Sequence, residues 1–166
     1  MKNILFTLAL LISFSSFGQT AEEYFNSGNQ KDEAKDYNGA ISDYTKAIEL
    51  NPDAAVAYSN RGSSKSNLKD YNGAISDYTK AIELNPNFAN AYYNRGNSKY
   101  DLKDYNGAIS DYTKAIELNP NAADSYESRS ISKESLGDLT GACADAKKAI
   151  SLGSNSSVKW ISENCN

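Results

Sequence analysis

The side chains able to do chemistry are few in kind. The 166 residues include no histidine, so a histidine base and a histidine-ligated metal are both excluded. The two cysteines, Cys143 and Cys165, fall short of a four-thiolate zinc site. Twelve tyrosines and many serines offer hydroxyls, but no imidazole is present to activate them. Carboxylates are plentiful, and two held ~5 to 9.5 Å apart suffice for glycoside hydrolysis. Yet Asp43, Asp77, Asp111 and Asp145 recur 34 residues apart in look-alike surroundings, and nothing marks one pair for a perturbed pKa. No glycine-rich phosphate loop occurs, because the Tyr-Asn-Gly-Ala segments lack a following Gly-Lys-Ser. The expectation is therefore no catalytic residue, no metal and no cofactor. Arg61, Arg95 and Arg129 share the 34-residue period. An arginine ladder can read phosphate, but an acid accompanies every copy. The formal charge of -4 and pI of about 4.9 also make a poor footprint for nucleic acid.

These ladders belong to a repeat. The block KDYNGAISDYTKAIELNP stands at Lys35 to Pro52, Lys69 to Pro86 and Lys103 to Pro120. The frames are residues 21–54, 55–88, 89–122 and 123–156, and the second and third agree at 28 of 34 positions. The fourth has drifted, with Leu139 and Ala146 in place of the block's tyrosines and Gly153 in place of its last asparagine. A terminal repeat that meets no identical neighbour is expected to diverge in this way.

Each frame reads as two helices. In the third, the first helix is expected near Ala91 to Leu102 and the second near Asn106 to Leu118, with a turn at Lys103 and Asp104. Ala108, Ile109, Tyr112, Ala115, Ile116 and Leu118 follow a helical rather than alternating period. Asn51-Pro52, Asn85-Pro86 and Asn119-Pro120 stop the second helices, since a residue before proline is pushed out of the helical region. Gly28, Gly62 and Gly96 fall mid-helix, where glycine costs ~1 kcal/mol relative to alanine. The expected compensation is close approach to Ala40, Ala74 and Ala108, with Tyr44, Tyr78 and Tyr112 filling space one turn on. Each arginine is expected to pair with the aspartate of the preceding repeat's second helix, a structural role. No unit can bury its apolar face alone, so the units must stack into one core.

The pattern resembles the tetratricopeptide repeat. Tyr24, Tyr58, Tyr92 and Tyr126 meet the family's early aromatic, and Gly28, Gly62, Gly96 and Ser130 its small residue. Leu68, Leu102 and Leu136 meet its leucine, where Ala34 departs. The Ala-aromatic-Ala series of the second helix is met by Ala40, Tyr44 and Ala47 and by their later copies. The resemblance implies an all-α superhelical solenoid of four helical hairpins whose first helices line a concave interaction face. Carried over, that face includes Phe25, Asn29 and Asp32, then Ser59, Ser63 and Ser66, then Tyr93, Asn97 and Tyr100, then Glu127, Ile131 and Glu134. These positions differ between copies while the core positions repeat, so partner specificity can be written there. Relatives that grip a C-terminal carboxylate use lysine, arginine and asparagine. Here Asn29 and Asn60 fit that pattern, while Phe25, Asn90 and Asn94 stand where the basic residues would be. The implied partner is a protein or peptide segment with apolar anchors. A glycan and self-association of the stacks are the other readings.

The chain's two ends carry separate signals. Met1 to Gly18 has Lys2, an apolar run from Ile4 to Ile12, and small residues at Ser16 and Gly18, the form of a cleaved secretory signal. The run is too short to span a bilayer, which needs ~20 apolar residues, so no stable membrane anchor is expected after cleavage. The segment resembles exported proteins of Gram-negative bacteria, implying periplasm or secretion. At the other end, Val158, Trp160 and Ile161 lie in residues 157–166, expected to form a short capping helix. Cys143 and Cys165 then meet at the cap as a disulfide, or stay apart as a buried thiol and a terminal one.

Overall fold

The computed structural model describes residues 19–156 and 158–165. The expected export segment, Met1 to Gly18, lies outside the described residues, as do Ser157 and Asn166 of the cap segment. Among the described residues there are nine helices and no strand: α1 (Ala21–Glu33), α2 (Tyr37–Leu50), α3 (Ala55–Asn67), α4 (Tyr71–Leu84), α5 (Ala89–Asp101), α6 (Tyr105–Leu118), α7 (Ala123–Ser135), α8 (Leu139–Ser151) and α9 (Val158–Asn164).

Local chemistry sets the helix starts. Thr20 and Glu23 form a capping box at α1, each side chain accepting from the other's backbone N–H. α2, α4, α6 and α8 open on Asp36, Asp70, Asp104 and Asp138, whose carboxylates accept from the N–H groups of Gly39, Gly73, Gly107 and Gly141. A Cβ on any of these glycines would stand 2.1–2.2 Å from the capping carboxylate. This close approach explains why Asp138 and Gly141 persist in the drifted fourth copy. Ahead of each cap the chain turns sharply. Lys35, Lys69 and Lys103 take left-handed φ values of 61°, 64° and 63°, and Gly137 takes the same place at 81°.

Consecutive helices pack as antiparallel hairpins, and each second helix packs on the next first helix. Neighbouring first helices also touch one another (α1 on α3, α3 on α5, α5 on α7), whereas neighbouring second helices do not. The stack therefore curves toward the first helices, which form its concave side. The core is small and repetitive: Ala40, Ala74, Ala108 and Ala142 are fully buried, as nearly are Tyr44, Tyr78 and Tyr112.

One expected contact is refined and one is corrected. A Cβ on Gly28, Gly62 or Gly96 would meet the ring of Tyr44, Tyr78 or Tyr112 at 2.7, 3.0 and 2.7 Å. The bare backbone of the first helix is thus a seat for the tyrosine ring itself. The arginine ladder also pairs within its own repeat. Arg61, Arg95 and Arg129 make two-pronged bonds to Asp77, Asp111 and Asp145, at 2.7–2.9 Å, rather than to the aspartate of the preceding repeat. What crosses to the preceding repeat is a single Nη1 bond, to Thr45, Thr79 and Thr113 at 3.0–3.1 Å. Lys65, Lys99 and Lys133 add a second cation to each aspartate at 2.7 Å. In the first repeat, which has Ser27 where the others have arginine, Asp43 accepts from Lys31 and Ser27 instead.

The first and last described repeats differ from the inner ones. Glu23 and Gln30, both exposed, stand where later repeats bury Ala57, Ala91 and Ser125 or Ser64, Ser98 and Ser132 against a preceding hairpin. At the far end α9 packs on α8, and Cys143 is bonded to Cys165 with a Cα–Cα distance of 5.6 Å.

Candidate interaction groove

The concave face is built on the first helices, and its side chains are aimed from below by the buried tyrosines. Tyr44 donates its hydroxyl hydrogen to Asn29 Oδ1 at 2.8 Å, and Tyr112 does the same to Asn97 Oδ1 at 2.7 Å. Burial pushes the Tyr44 hydroxyl up to about 12, aided by the charge of Asp32. The same burial pushes up Tyr112, with Tyr93 adding to it. Both hydroxyls are thus neutral donors at any physiological pH. Each amide presents its oxygen to the core, so its Nδ2 is directed elsewhere. Asn29 Oδ1 also accepts from Asn60 Nδ2 at 3.0 Å. In the second repeat Ser63 and the Tyr78 hydroxyl lie 3.1 Å apart.

One turn earlier on the same face, Phe25 stacks on Tyr44 and Tyr93 on Tyr112, each pair with ring centroids 5.8 Å apart and planes at 49°. The first and third repeats therefore carry the same aromatic-asparagine unit, and the second repeat separates them with serines. Cavities follow this alternation. One of about 280 Å³ is lined by Asn29, Asp32, Glu33, Tyr44, Asn60 and Ser63. Its counterpart two repeats on, about 390 Å³, is lined by Asn97, Tyr100, Asp101, Tyr112, Ser128 and Ile131, together with Ser66. A second pair sits toward the repeat joints. The cleft of about 370 Å³ beside Glu22, Phe25 and Val56 is matched by one of about 300 Å³ beside Asn90, Tyr93, Asn94 and Asp124.

The structure leaves most of the expected residues accessible on this face; Ser59 is buried, and Glu127 and Glu134 are engaged by the C-terminal segment. Ser59 is 4% exposed, because a serine at the position of Phe25 and Tyr93 is too short to project past its neighbours. Glu134 accepts from the Trp160 indole at 2.8 Å, and Glu127 accepts from the hydroxyls of Ser154 and Ser156. The C-terminal segment thus engages the fourth repeat's end of the groove. The rim acids Glu22, Glu33, Asp101 and Asp124 were not among the expected residues. Their signal was available, since they are the carboxylates of the first helices that differ between copies. No group of His, Cys, Asp and Glu able to hold a metal ion occurs among the described residues.

The hairpins, their seating and the groove define a helical-repeat solenoid of the interaction-scaffold class. Sequence profiles for the tetratricopeptide repeat match residues 89–122, and TPR repeat profiles match residues 28–65 and 67–102. The chain belongs to the tetratricopeptide repeat family. A crystal structure of MamA superposes with a TM-score of 0.78 at 28% identity, covering 80% of this chain and 77% of that one. The first repeat domain of Spaghetti (RPAP3), bound to the HSP90 peptide SRMEEVD, superposes at 0.70 with 30% identity, covering 72% and 94%. The repeat domain of Arabidopsis OM64 does so at 0.67 with 29% identity, covering 69% and 94%. No curated protein matches the chain in sequence.

Proposed function

We propose that this chain is an exported, non-catalytic scaffold that holds a peptide or protein segment in the groove formed by α1, α3, α5 and α7. The observation that carries the reading is the contrast between a repeated core and a groove whose side chains change from copy to copy. A peptide bound to the RPAP3 repeat domain supports it, as a property of that relative. Export is supported by the form of Met1 to Gly18 and by the Cys143–Cys165 bond, since disulfides persist in oxidising compartments. The partner is a segment that reaches into clefts of about 280–390 Å³ rather than a flat surface.

The test is a crosslinked pull-down from the native cell envelope, run in parallel with a Tyr93→Ala/Asn97→Ala variant. The expected result is a discrete partner lost in the variant. Recovery of only the chain itself would replace this reading with a self-associating structural role. Mass spectrometry of the envelope-derived protein should show an N-terminus at Gln19. A chain still starting at Met1 in the cytoplasm would remove the export reading.

A further inference from the structure

We propose that the groove selects a cationic extended segment carrying basic side chains toward both of its ends, an inference that rests on the scaffold reading above. The argument begins with where the positive charge of the first helices goes. Their lysines and arginines are Lys31, Arg61, Lys65, Arg95, Lys99, Arg129 and Lys133. Every one of them is ion-paired, at 2.6–2.7 Å, with a buried aspartate of the second helix of its own repeat. The ladder that holds the hairpins together therefore withdraws all the basic side chains of the groove-forming helices.

Five acids of those helices instead stand at the clefts, Asp32 while also accepting from the Ser64 hydroxyl at 2.5 Å. Asp32, Glu33 and Asp101 line the central clefts, and Glu22 and Asp124 line the clefts at the joints. No lysine or arginine lines any of the four cavities. The second repeat's groove helix contributes no acid: α3 reads AVAYSNRGSSKSN. Negative charge thus stands at the first repeat and at the third together with the start of the fourth, beside the two aromatic-asparagine units, with the acid-free α3 between. Clefts lined by one sign of charge with low-dielectric walls focus that field on an entering ligand. An acidic segment such as SRMEEVD, seen on the RPAP3 domain, would meet only like charge here.

The spacing sets the ligand's length. Packed helices lie ~8 to 10 Å apart, so α1 and α5, separated by α3, stand roughly 20 Å apart. An extended chain rises ~3.3 Å per residue, so about six residues bridge the two acidic units.

The experiment is fluorescence anisotropy on the full-length gene product secreted by an export-competent host, with its disulfide intact. Three capped peptides serve as probes. They share a Gly/Ser/Leu framework and differ only in carrying Lys, Gln or Glu at two positions six residues apart. The Lys peptide is expected to bind at least about tenfold more tightly than the Glu peptide in dilute buffer, with Gln between. The gap should narrow as salt shortens the Debye length from ~10 Å at 0.1 M. In an Asp32→Asn/Glu33→Gln/Asp101→Asn variant, with unchanged circular dichroism, the advantage of the Lys peptide over the Gln and Glu peptides should vanish. Equal or tighter binding of the Glu peptide, or a Lys advantage that survives the variant, overturns the charge selection and leaves the scaffold reading standing. No binding of any peptide, together with an empty pull-down, overturns both.

Discussion

The third and fourth repeats reach one hairpin by two packings. In the third, the Tyr112 ring lies on the bare backbone of Gly96 and its hydroxyl reaches through to Asn97. In the fourth, Ser130 and Ala146 replace the glycine and the tyrosine, and the Ser130 hydroxyl donates to the Ala142 carbonyl at 2.8 Å. One solution fills the interface with a ring, and the other removes the ring and ties the first helix's serine to the second helix's backbone. Only the first delivers a hydrogen bond to the groove. The fourth repeat keeps what closes a hairpin, namely Asp138 with Gly141 and the Arg129–Asp145–Lys133 cluster, and drops what aims a side chain of the concave face. In place of a fifth repeat it carries α9. The difference teaches that the charged cluster belongs to the fold and the glycine-tyrosine pair serves both fold and groove.

The largest expected effect tests the part the two repeats share. Asp145→Ala leaves Arg129 and Lys133 without their partner, and breaking a buried pair costs ~3 to 5 kcal/mol. Both cations keep some solvent access, so the lower end applies, measured by urea denaturation. Burial works to raise the Asp145 carboxyl, but hydrogen bonds from Arg129 and Lys133 outweigh it and hold the carboxyl below its ordinary 3.8. A carboxylate lowered by folding contributes stability above its unfolded pKa and loses it as pH falls through the folded value. The wild type should therefore lose stability below about pH 4 more steeply than the variant. Asp43→Ala should cost less, because Lys31 is 40% exposed and can return to water.

Gly96→Leu separates the two packings. The side chain would have to displace the Tyr112 ring, at or beyond the upper end of the ~1 to 3 kcal/mol usual for overpacking. Ser130→Gly in the fourth repeat should cost only about 1 kcal/mol, for one hydrogen bond and some helix propensity. Asn97→Ala should cost less, about 1 kcal/mol for the one hydrogen bond from Tyr112 that it removes. Equal losses at Gly96 and Asn97 would mean the helix faces are assigned wrongly.

These contrasts mark what the residues reveal on their own. The 34-residue block shows the hairpins, the Asn-Pro stops and a core that repeats, because all three depend on near neighbours in sequence. The partner of each arginine is a different problem. Arg61 lies 18 residues after Asp43 and 16 before Asp77, on second helices that flank it on either side. A repeat pattern is indifferent between the two. Only the rotation between hairpins decides, and that rotation is a property of packing. Ser59 was misjudged, and the engagement of the exposed Glu134 by Trp160 was missed, for a related reason. Position in the repeat predicts a direction, but side-chain length and the approach of α9 determine whether the position is open.

The cap offers the next contrast. Replacing Cys143 and Cys165 with serine releases a loop that a disulfide constrains by ~2 to 4 kcal/mol. The loss should be confined to α8 and α9, read by hydrogen exchange as faster opening there with α1 to α4 unchanged. Thiol titration of the denatured, unreduced protein should find no free thiol per monomer, and two would refute the bond.

The smallest effect lies in the turns, where the two repeats differ by one residue. Lys103 holds φ at 63° and Gly137, its counterpart, at 81°. A side chain in the left-handed region costs ~1 to 2 kcal/mol through crowding of Cβ against the backbone, a cost glycine escapes. Against this, glycine loses more freedom on folding. Lys103→Gly should therefore stabilise by no more than about 1 kcal/mol, and Gly137→Lys should destabilise by a similar amount. No atom lies within 4 Å of a Cβ built at Gly137, so the effect there is free of steric contact and reports the backbone alone. Opposite signs at the two turns in thermal melts would show that the first three repeats carry a strained turn that the fourth has relieved. The same sign at both would place the difference in the unfolded chain.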